Sequence, residues 1–334
     1  MTTINVAALH GHHPLGYLAA CGLFRVVSEK FEDCRLSWIR SESDNSWTAS
    51  IHCETSPNVG LKSQLIKVVA DSAQSYLACL DAYEITEAEA PVGQFRSSGL
   101  RALQSVGSGG QAEMAAALLP GIGSDFALRR KGTGEKKKTV IKTTRFAMTS
   151  GQQDLVSGMR KPAAKLAKRS KEGSVPAEVE EMIKEALFGP WQYRDDDHSL
   201  GWDPQGQRLH ALRNKAPTND PKNRSVSTAI FLATQALPLF PCFVVHGQLR
   251  TTGFQREDDE DWFVWPIWRE LISLNTLRSL CAQPPNIDLK RRGVEVVYRC
   301  RRTRTGGAEG NYQIFSSAEE YEWKRRRRGK SNRV

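Results

Sequence analysis

The chain reads as an α+β protein, and three observations carry that reading. Short alternating runs that suit strands are interspersed with apolar runs at helical spacing. They follow no regular strand–helix–strand rhythm, and there is no internal repeat. With 40% hydrophobic and 25% charged residues in 334, the composition is that of an ordinary globular protein with ample chain to bury a core.

The elements follow in order. Ile4–Leu9 alternates weakly, as a short strand does. His10-Gly-His12-His13 leads into Pro14, which fits the first turn of a helix whose buried stripe is Leu15, Leu18, Ala19, Gly22, Leu23 and Val26. Gly16 and Gly22 leave room for another element to approach closely. Arg35–Arg40 and Ser46–Cys53 read as strands with Asp44-Asn45 as the turn, and Leu61–Leu80 as an amphipathic helix. Residues 93–111, rich in Gly and Ser, read as a functional loop or hinge, followed by an Ala-rich helix Gln111–Leu119 ended by Pro120-Gly121. Pro176–Phe188 and Ser225–Leu237 suit helices, Cys242–Leu249 and Trp262–Trp265 suit strands, and Ile267–Leu280 suits a helix. Val294–Arg302 and Tyr312–Phe315 form a last hairpin through Gly306-Gly307. The tail from Lys324 to Lys330 is too basic and too poor in apolar residues to fold alone.

Charge divides the chain into an N-terminal α+β domain (1–128), a basic insertion (129–171), a C-terminal α+β domain (172–323) and a basic tail (324–334). Residues 129–171 hold 14 Lys/Arg against two acids, and residues 290–334 hold 14 against five, in a protein of net charge +10. Residues 1–128 and 172–289 are both net acidic. Two concentrated basic blocks in an otherwise acidic chain are the electrostatic footprint of a polyanion binder; a solvated charged face beside a basic loop is the plainer alternative.

Within the insertion, Arg129, Arg130, Lys131, Lys136, Lys137 and Lys138 are spaced by glycines and read as a mobile basic loop, with Lys142 and Arg145 beyond it. Ser150-Gly-Gln152-Gln153 has the form of a capping box opening a helix. Along that helix Arg160, Lys161, Lys165, Lys168 and Arg169 oppose an apolar stripe, and Pro162 is expected to kink it. The loop cations are expected to contact backbone phosphates and the helix cations to line a groove. Gln94, Arg96, Ser97 and Ser98, with Gln152 and Gln153 as weaker candidates, have the donors and acceptors to read base edges.

Signals for catalysis are weak. His10, His12 and His13 have no acid or cysteine at ligand spacing, so helix capping is the simpler role. Asp195-Asp196-Asp197 could feed a metal nuclease but also suits a solvated loop. There is no phosphate loop, nucleophile elbow, zinc-protease helix or dinucleotide fingerprint. Trp202, with Arg208, His210 and Arg213 after it, offers either a stacking face for bases or a core anchor. Seven scattered cysteines without a CxxC pair argue against a disulfide framework and a zinc finger, and for a reduced, cytoplasmic protein. No apolar run reaches membrane-span length. These signals imply a protein that works without a cofactor or metal.

Four phrases then line up. His13-Pro-Leu-Gly-Tyr-Leu-Ala-Ala-Cys-Gly-Leu-Phe-Arg25, Thr149-Ser-Gly-Gln-Gln153, Leu200-Gly-Trp-Asp-Pro204 and Ala236-Leu-Pro-Leu-Phe-Pro241 resemble, in the same order, phrases of the large-subunit proteins of type I-G (formerly I-U) CRISPR effector complexes. The resemblance spans roughly residues 9–241 as scattered phrases, in a chain short for that family. It implies a non-enzymatic subunit, bound to crRNA and to the backbone and crRNA-end subunits. Such a subunit recognises a PAM in target double-stranded DNA, helps open the duplex, stabilises the R-loop and helps recruit a separate helicase-nuclease. It assigns no individual PAM-reading residue. Two other classes stay open: a nuclease or RNA-processing endonuclease using Asp195–Asp197 or the N-terminal histidines, and a basic RNA-binding assembly module.

Overall fold

The computed structural model describes residues 2–42, 45–54, 60–132, 134, 137–148, 154–205, 225–285, 288–305 and 312–322. The α+β expectation holds: helices pack against several small antiparallel sheets. Strand β1 (Thr2–His10) pairs with β3 (Trp47–Cys53), which pairs with β2 (Arg35–Arg40), giving the order β1-β3-β2. One face of this sheet buries Val6, Leu36, Trp38, Ala49 and Ile51.

Helix α1 (Pro14–Ser28) is the centre of the fold. His13 caps it, with Nδ1 accepting from the Gly16 N–H at 3.2 Å, and Pro14 occupies the first turn. The helix is buried from Pro14 through Val27, as a helix apolar on all sides must be. Arg25 is the buried exception. Its Nε donates to the Gln235 carbonyl at 2.6 Å and its other nitrogens reach the Gln235 side chain and Glu29. Burial nevertheless pulls its pKa down from the usual guanidinium value.

The chain also forms helices α2 (Leu61–Ala82), α3 (Val92–Gln104), α4 (Gly110–Ile122), α5 (Leu155–Leu166), α6 (Ala177–Phe188) and α7 (Ser227–Ala236); α1 packs chiefly on α7, every residue of which is buried. The closest crossing is α1 on α7 at Gly22. A Cβ there would fall 1.7 Å from the Leu232 carbonyl oxygen. Gly16 likewise lies where a Cβ would stand 2.6 Å from the His10 oxygen, so both glycines are needed for close approach.

Hairpin β4 (Gly123–Lys131)–β5 (Lys138–Thr143) and hairpin β6 (Cys242–Val245)–β7 (Gln248–Thr251) are separate two-stranded units. A larger sheet runs β11 (Tyr312–Phe315)-β10 (Val294–Thr305)-β9 (Glu260–Trp268)-β8 (Phe254–Glu257), with β12 (Glu319–Glu320) also on β10. Helices α8 (Leu274–Cys281) and α9 (Asp288–Arg291) join β9 to β10. The two larger sheets meet through aromatic rings: Trp265 Nε1 donates to the Gly11 oxygen at 2.8 Å, and Trp268 Nε1 to the Leu36 oxygen at 3.1 Å. One apolar core takes side chains from Val6 to Phe315, so the first three of the four charge-delimited segments contribute to it. Among the described residues no helix is long and apolar enough to cross a membrane.

Several expected elements are corrected. Residues 92–104 form a helix, not a loop. Ser98 and Ala102 bury one side of it at helical spacing, and this packing outweighs the low propensity of Gly93 and Gly99. The basic loop is in large part strand: Arg129–Lys131 and Lys138 belong to β4 and β5, and the glycines serve the hairpin tip, where Gly132 and Gly134 take φ values of 95° and 58°. Helix α5 opens on Asp154, whose Oδ1 accepts from the Val156 and Ser157 N–H groups at 2.8 and 3.2 Å. Pro162 sits inside α5. Helix α4 continues through Pro120 to Ile122. The Cys242–Leu249 run is interrupted by a His246-Gly247 turn with both residues at positive φ, which splits it into β6 and β7. Ile267 and Trp268 complete β9, and the helix expected from Ile267 begins only at Leu274, capped by Ser273. The capping-box residues Ser150, Gln152 and Gln153, together with Asp44, Lys136, Arg208, His210, Arg213 and the tail 324–334, lie outside the described residues.

Candidate nucleic-acid interface

The chemistry concentrates in a cleft of about 690 Å³ between the β4–β5 hairpin, the β6–β7 hairpin and the large sheet. Backbone bonds hold the first hairpin in place: Ile141 N–H donates to the Ala90 oxygen at 3.1 Å, and Thr144 N–H to the Ile122 oxygen at 2.7 Å. Gly123 lets the strands close, since a Cβ there would sit 2.7 Å from the Lys142 oxygen. Arg145 N–H then donates to Thr251 Oγ1 at 2.9 Å, tying the end of β5 to β7.

Six cations line the cleft: Arg129, Lys131, Lys142, Arg145, Arg256 and Arg302, facing the carboxylates Glu89 and Asp154. Both acids are already engaged. Glu89 receives Arg129 and, at 2.7 Å, Lys131. Asp154 caps α5 with one oxygen and accepts from Ala88 N–H at 3.0 Å with the other. Behind the wall Asp261 holds Arg145 at 3.2 Å and Arg302 at 3.7 Å, and Arg302 also donates to the Ala147 oxygen at 2.8 Å and to Gln313. These bonds fix the guanidinium groups without cancelling the excess of positive charge. Among the described residues no carboxylate lies within ion-pair distance of Lys142. No aromatic ring is among the residues lining the cleft, so the described walls offer phosphate contacts and amide groups (Gln248, Gln313) but no stacking platform.

Of the sequence-derived candidates, this cleft brings together Arg129, Lys131, Lys142 and Arg145. Arg130 alternates to the other side of β4, and Lys137 and Lys138 are exposed at the start of β5. The helix cations are differently disposed. Arg160 pairs with Asp81 at 2.7 Å, Lys165 with Asp196 and Asp197 at 2.9 and 3.0 Å, and Arg169 with Asp71 at 2.9 Å. Burial pulls the Lys165 pKa down, but its two aspartates outweigh this and hold it above the usual lysine value. Only Lys161 and Lys168 of that group are exposed. Neutralising Arg160 or Arg169 is therefore expected to lower thermal stability slightly and leave oligonucleotide affinity unchanged, checked by melting and by anisotropy titration.

The base-reading candidates sit on α3 and are largely tied to the chain. Gln94 Nε2 donates to the Glu84 oxygen and to Thr86 Oγ1, each at 3.3 Å, and Arg96 pairs with Asp125 at 2.9 Å. Ser98 is 2% exposed, and Ser97 is exposed.

The residues weighed for catalysis are engaged too. Asp195 accepts from Ser227 N–H at 2.7 Å and Asp197 from Ser227 Oγ at 2.5 Å, at the start of α7. Besides capping α1, His13 places Nε2 3.3 Å from buried Asp203. Trp202 is fully buried and donates to the Phe146 oxygen at 2.9 Å, which makes it a core anchor. Arg256, Arg302, Gln248 and Gln313 were missed as cleft residues. The turn signal His246-Gly247 was present for Gln248; the others reach the cleft only through sheet pairing that no local pattern encodes.

No protein-family model, no curated protein and no solved structure matches the chain.

Proposed function

We propose that this chain is a non-catalytic, nucleic-acid-binding subunit of a crRNA-guided surveillance complex in the cytoplasm, and that the cleft holds a phosphodiester backbone. The observation that carries the binding reading is the cleft itself, where six cations outnumber the four carboxylates that line it or pair with them, Glu89, Asp154, Asp259 and Asp261. Phosphate contacts position a strand without reading its bases, which suits a lining without aromatic rings. The complex, the PAM and the helicase-nuclease partner come from the resemblance of the four phrases. In that reading sequence is read by guide pairing, while this chain grips backbone and PAM duplex.

Titration of the full chain with fluorescent single-stranded and duplex oligonucleotides across salt concentrations tests the cleft. Lys142→Ala and Arg256→Ala are each expected to weaken binding equally for unrelated sequences and to flatten the log–log salt slope by about 0.9 for each lost duplex phosphate contact. An unchanged slope in both variants removes the cleft from the interface. Co-expression with crRNA and the neighbouring subunits tests the assembly: the purified complex is expected to bind PAM-bearing duplex and to lose that binding when this chain is left out. A chain that stays free of the complex, or that cleaves nucleic acid alone, overturns the reading.

A further inference from the structure

A second surface lies on the far side of the same two hairpins. Phe95, Leu103, Ala116, Leu119, Phe126 and Phe243 line a mostly apolar groove of about 650 Å³ between α3, α4, β4 and β6. Phe126 is 79% exposed, Leu103 64% and Phe243 49%. Of the nine exposed large hydrophobic side chains among the described residues, seven lie on α3, just after it, or on β4 and β6. Single exposed apolar residues are ordinary, but such a concentration marks a surface that another molecule covers.

Two further features say what covers it. Strand β4 pairs only with β5, with an irregularity between Ser124 and Leu128, and β6 pairs only with β7. Both strands contribute lining residues, and among the described residues each has one edge without a strand partner; such an edge can take up an extended chain. The charge beside the groove leaves one cation over. Asp125, in the lining, is already paired with Arg96 at 2.9 Å, whereas Arg250, directly opposite Phe243 in the β6–β7 register, has no acidic partner among the described residues.

We propose that this groove docks an extended segment of a different protein, one that combines apolar residues with an acidic residue set to meet Arg250. A second copy fits poorly, because of the groove's lining residues only Asp125 is acidic, and it is already held by Arg96 at 2.9 Å, so this patch has no free carboxylate to offer Arg250 of another copy. The proposal is independent of the nucleic-acid reading.

Selection of random short peptides displayed on phage against the full chain tests it, with the enriched peptides then synthesised and titrated. The selected sequences are expected to combine apolar with Asp or Glu residues. Phe126→Glu is expected to lower their affinity about tenfold or more, as loss of a central aromatic anchor does. Arg250→Glu is expected to weaken binding and to be rescued by replacing the peptide's acid with lysine. Hydrogen exchange at β6 amides is expected to slow on binding. Both substitutions change exposed side chains, and the salt slope for oligonucleotides is expected to stay as in the unaltered chain, so failure here is distinguishable from failure of the cleft. No enrichment, enrichment of basic sequences, or affinity indifferent to both substitutions overturns the proposal. So does a dimer in sedimentation equilibrium that Phe126→Glu dissociates, which would assign the groove to a second copy.

Discussion

Gly22→Ala is expected to cost about 3 kcal/mol or more of folding stability, at the upper end of overpacking effects. The added methyl would stand 1.7 Å from the Leu232 carbonyl oxygen and 3.0 Å from the Ala236 nitrogen, both backbone atoms of α7. A flexible side chain could turn away from such a clash, but a helix backbone must translate. Helix α7 is buried along its whole length, so it cannot move without opening contacts on its other faces. The checking measurement is urea denaturation: the midpoint falls while the slope with denaturant is unchanged. Gly60→Ala is the control, since nothing lies within 4 Å of a Cβ there, and it is expected to stay within about 0.5 kcal/mol of the original chain. A Gly22→Ala chain as stable as that control would show that the α1–α7 crossing is looser than the structure places it.

What could be read from the sequence follows from how local each cause is. Helix α1 was legible because Pro14, the apolar stripe and the two glycines are all local signals, and β2 was legible to the residue. Helix α3 was not, because the side chains it buries, Ser98 and Ala102, are small and carry little hydrophobic signal of their own. The strands β4 and β5 were obscured by their lysines and arginines, which look like a loop until the cleft gives them a reason to be held in register. The cleft cations from β8 and β10 needed knowledge of strand order, which depends on contacts between residues far apart in the chain.

Charge counting points to the insertion but cannot say which of its cations are already paired within the chain. Lys142 and Arg160 carry the same formal charge. One lines the cleft and has no carboxylate within ion-pair distance among the described residues, while the other meets Asp81 at 2.7 Å. The acidic excess of residues 1–128 and 172–289 is what absorbs much of the α5 charge, through Asp71, Asp81, Asp196 and Asp197. The positive charge left over is thus smaller than the insertion's composition suggests, and lies on the hairpins more than on α5, where Lys161 stays exposed.

Trp202 separates the two readings of its region in one experiment. Its ring is fully buried edge-on to Phe146 at 6.3 Å, and Phe146 in turn meets Phe240, Phe254, Phe263 and Phe315. The indole N–H is the donor to the Phe146 oxygen, one residue from Arg145 at the cleft wall. Trp202→Ala is expected to cost about 3–5 kcal/mol, the range for emptying a large aromatic site. Trp202→Phe keeps most of the volume and loses the hydrogen bond, for an expected cost of about 1–3 kcal/mol. If the ring instead stacked on bases, Trp202→Phe would keep both stability and much of the binding, and Trp202→Ala would lower affinity without lowering the denaturation midpoint. Midpoint and oligonucleotide affinity measured on the same two variants therefore decide it: a core anchor moves the midpoint in both, and moves affinity only as far as the wall that carries Arg145 loosens.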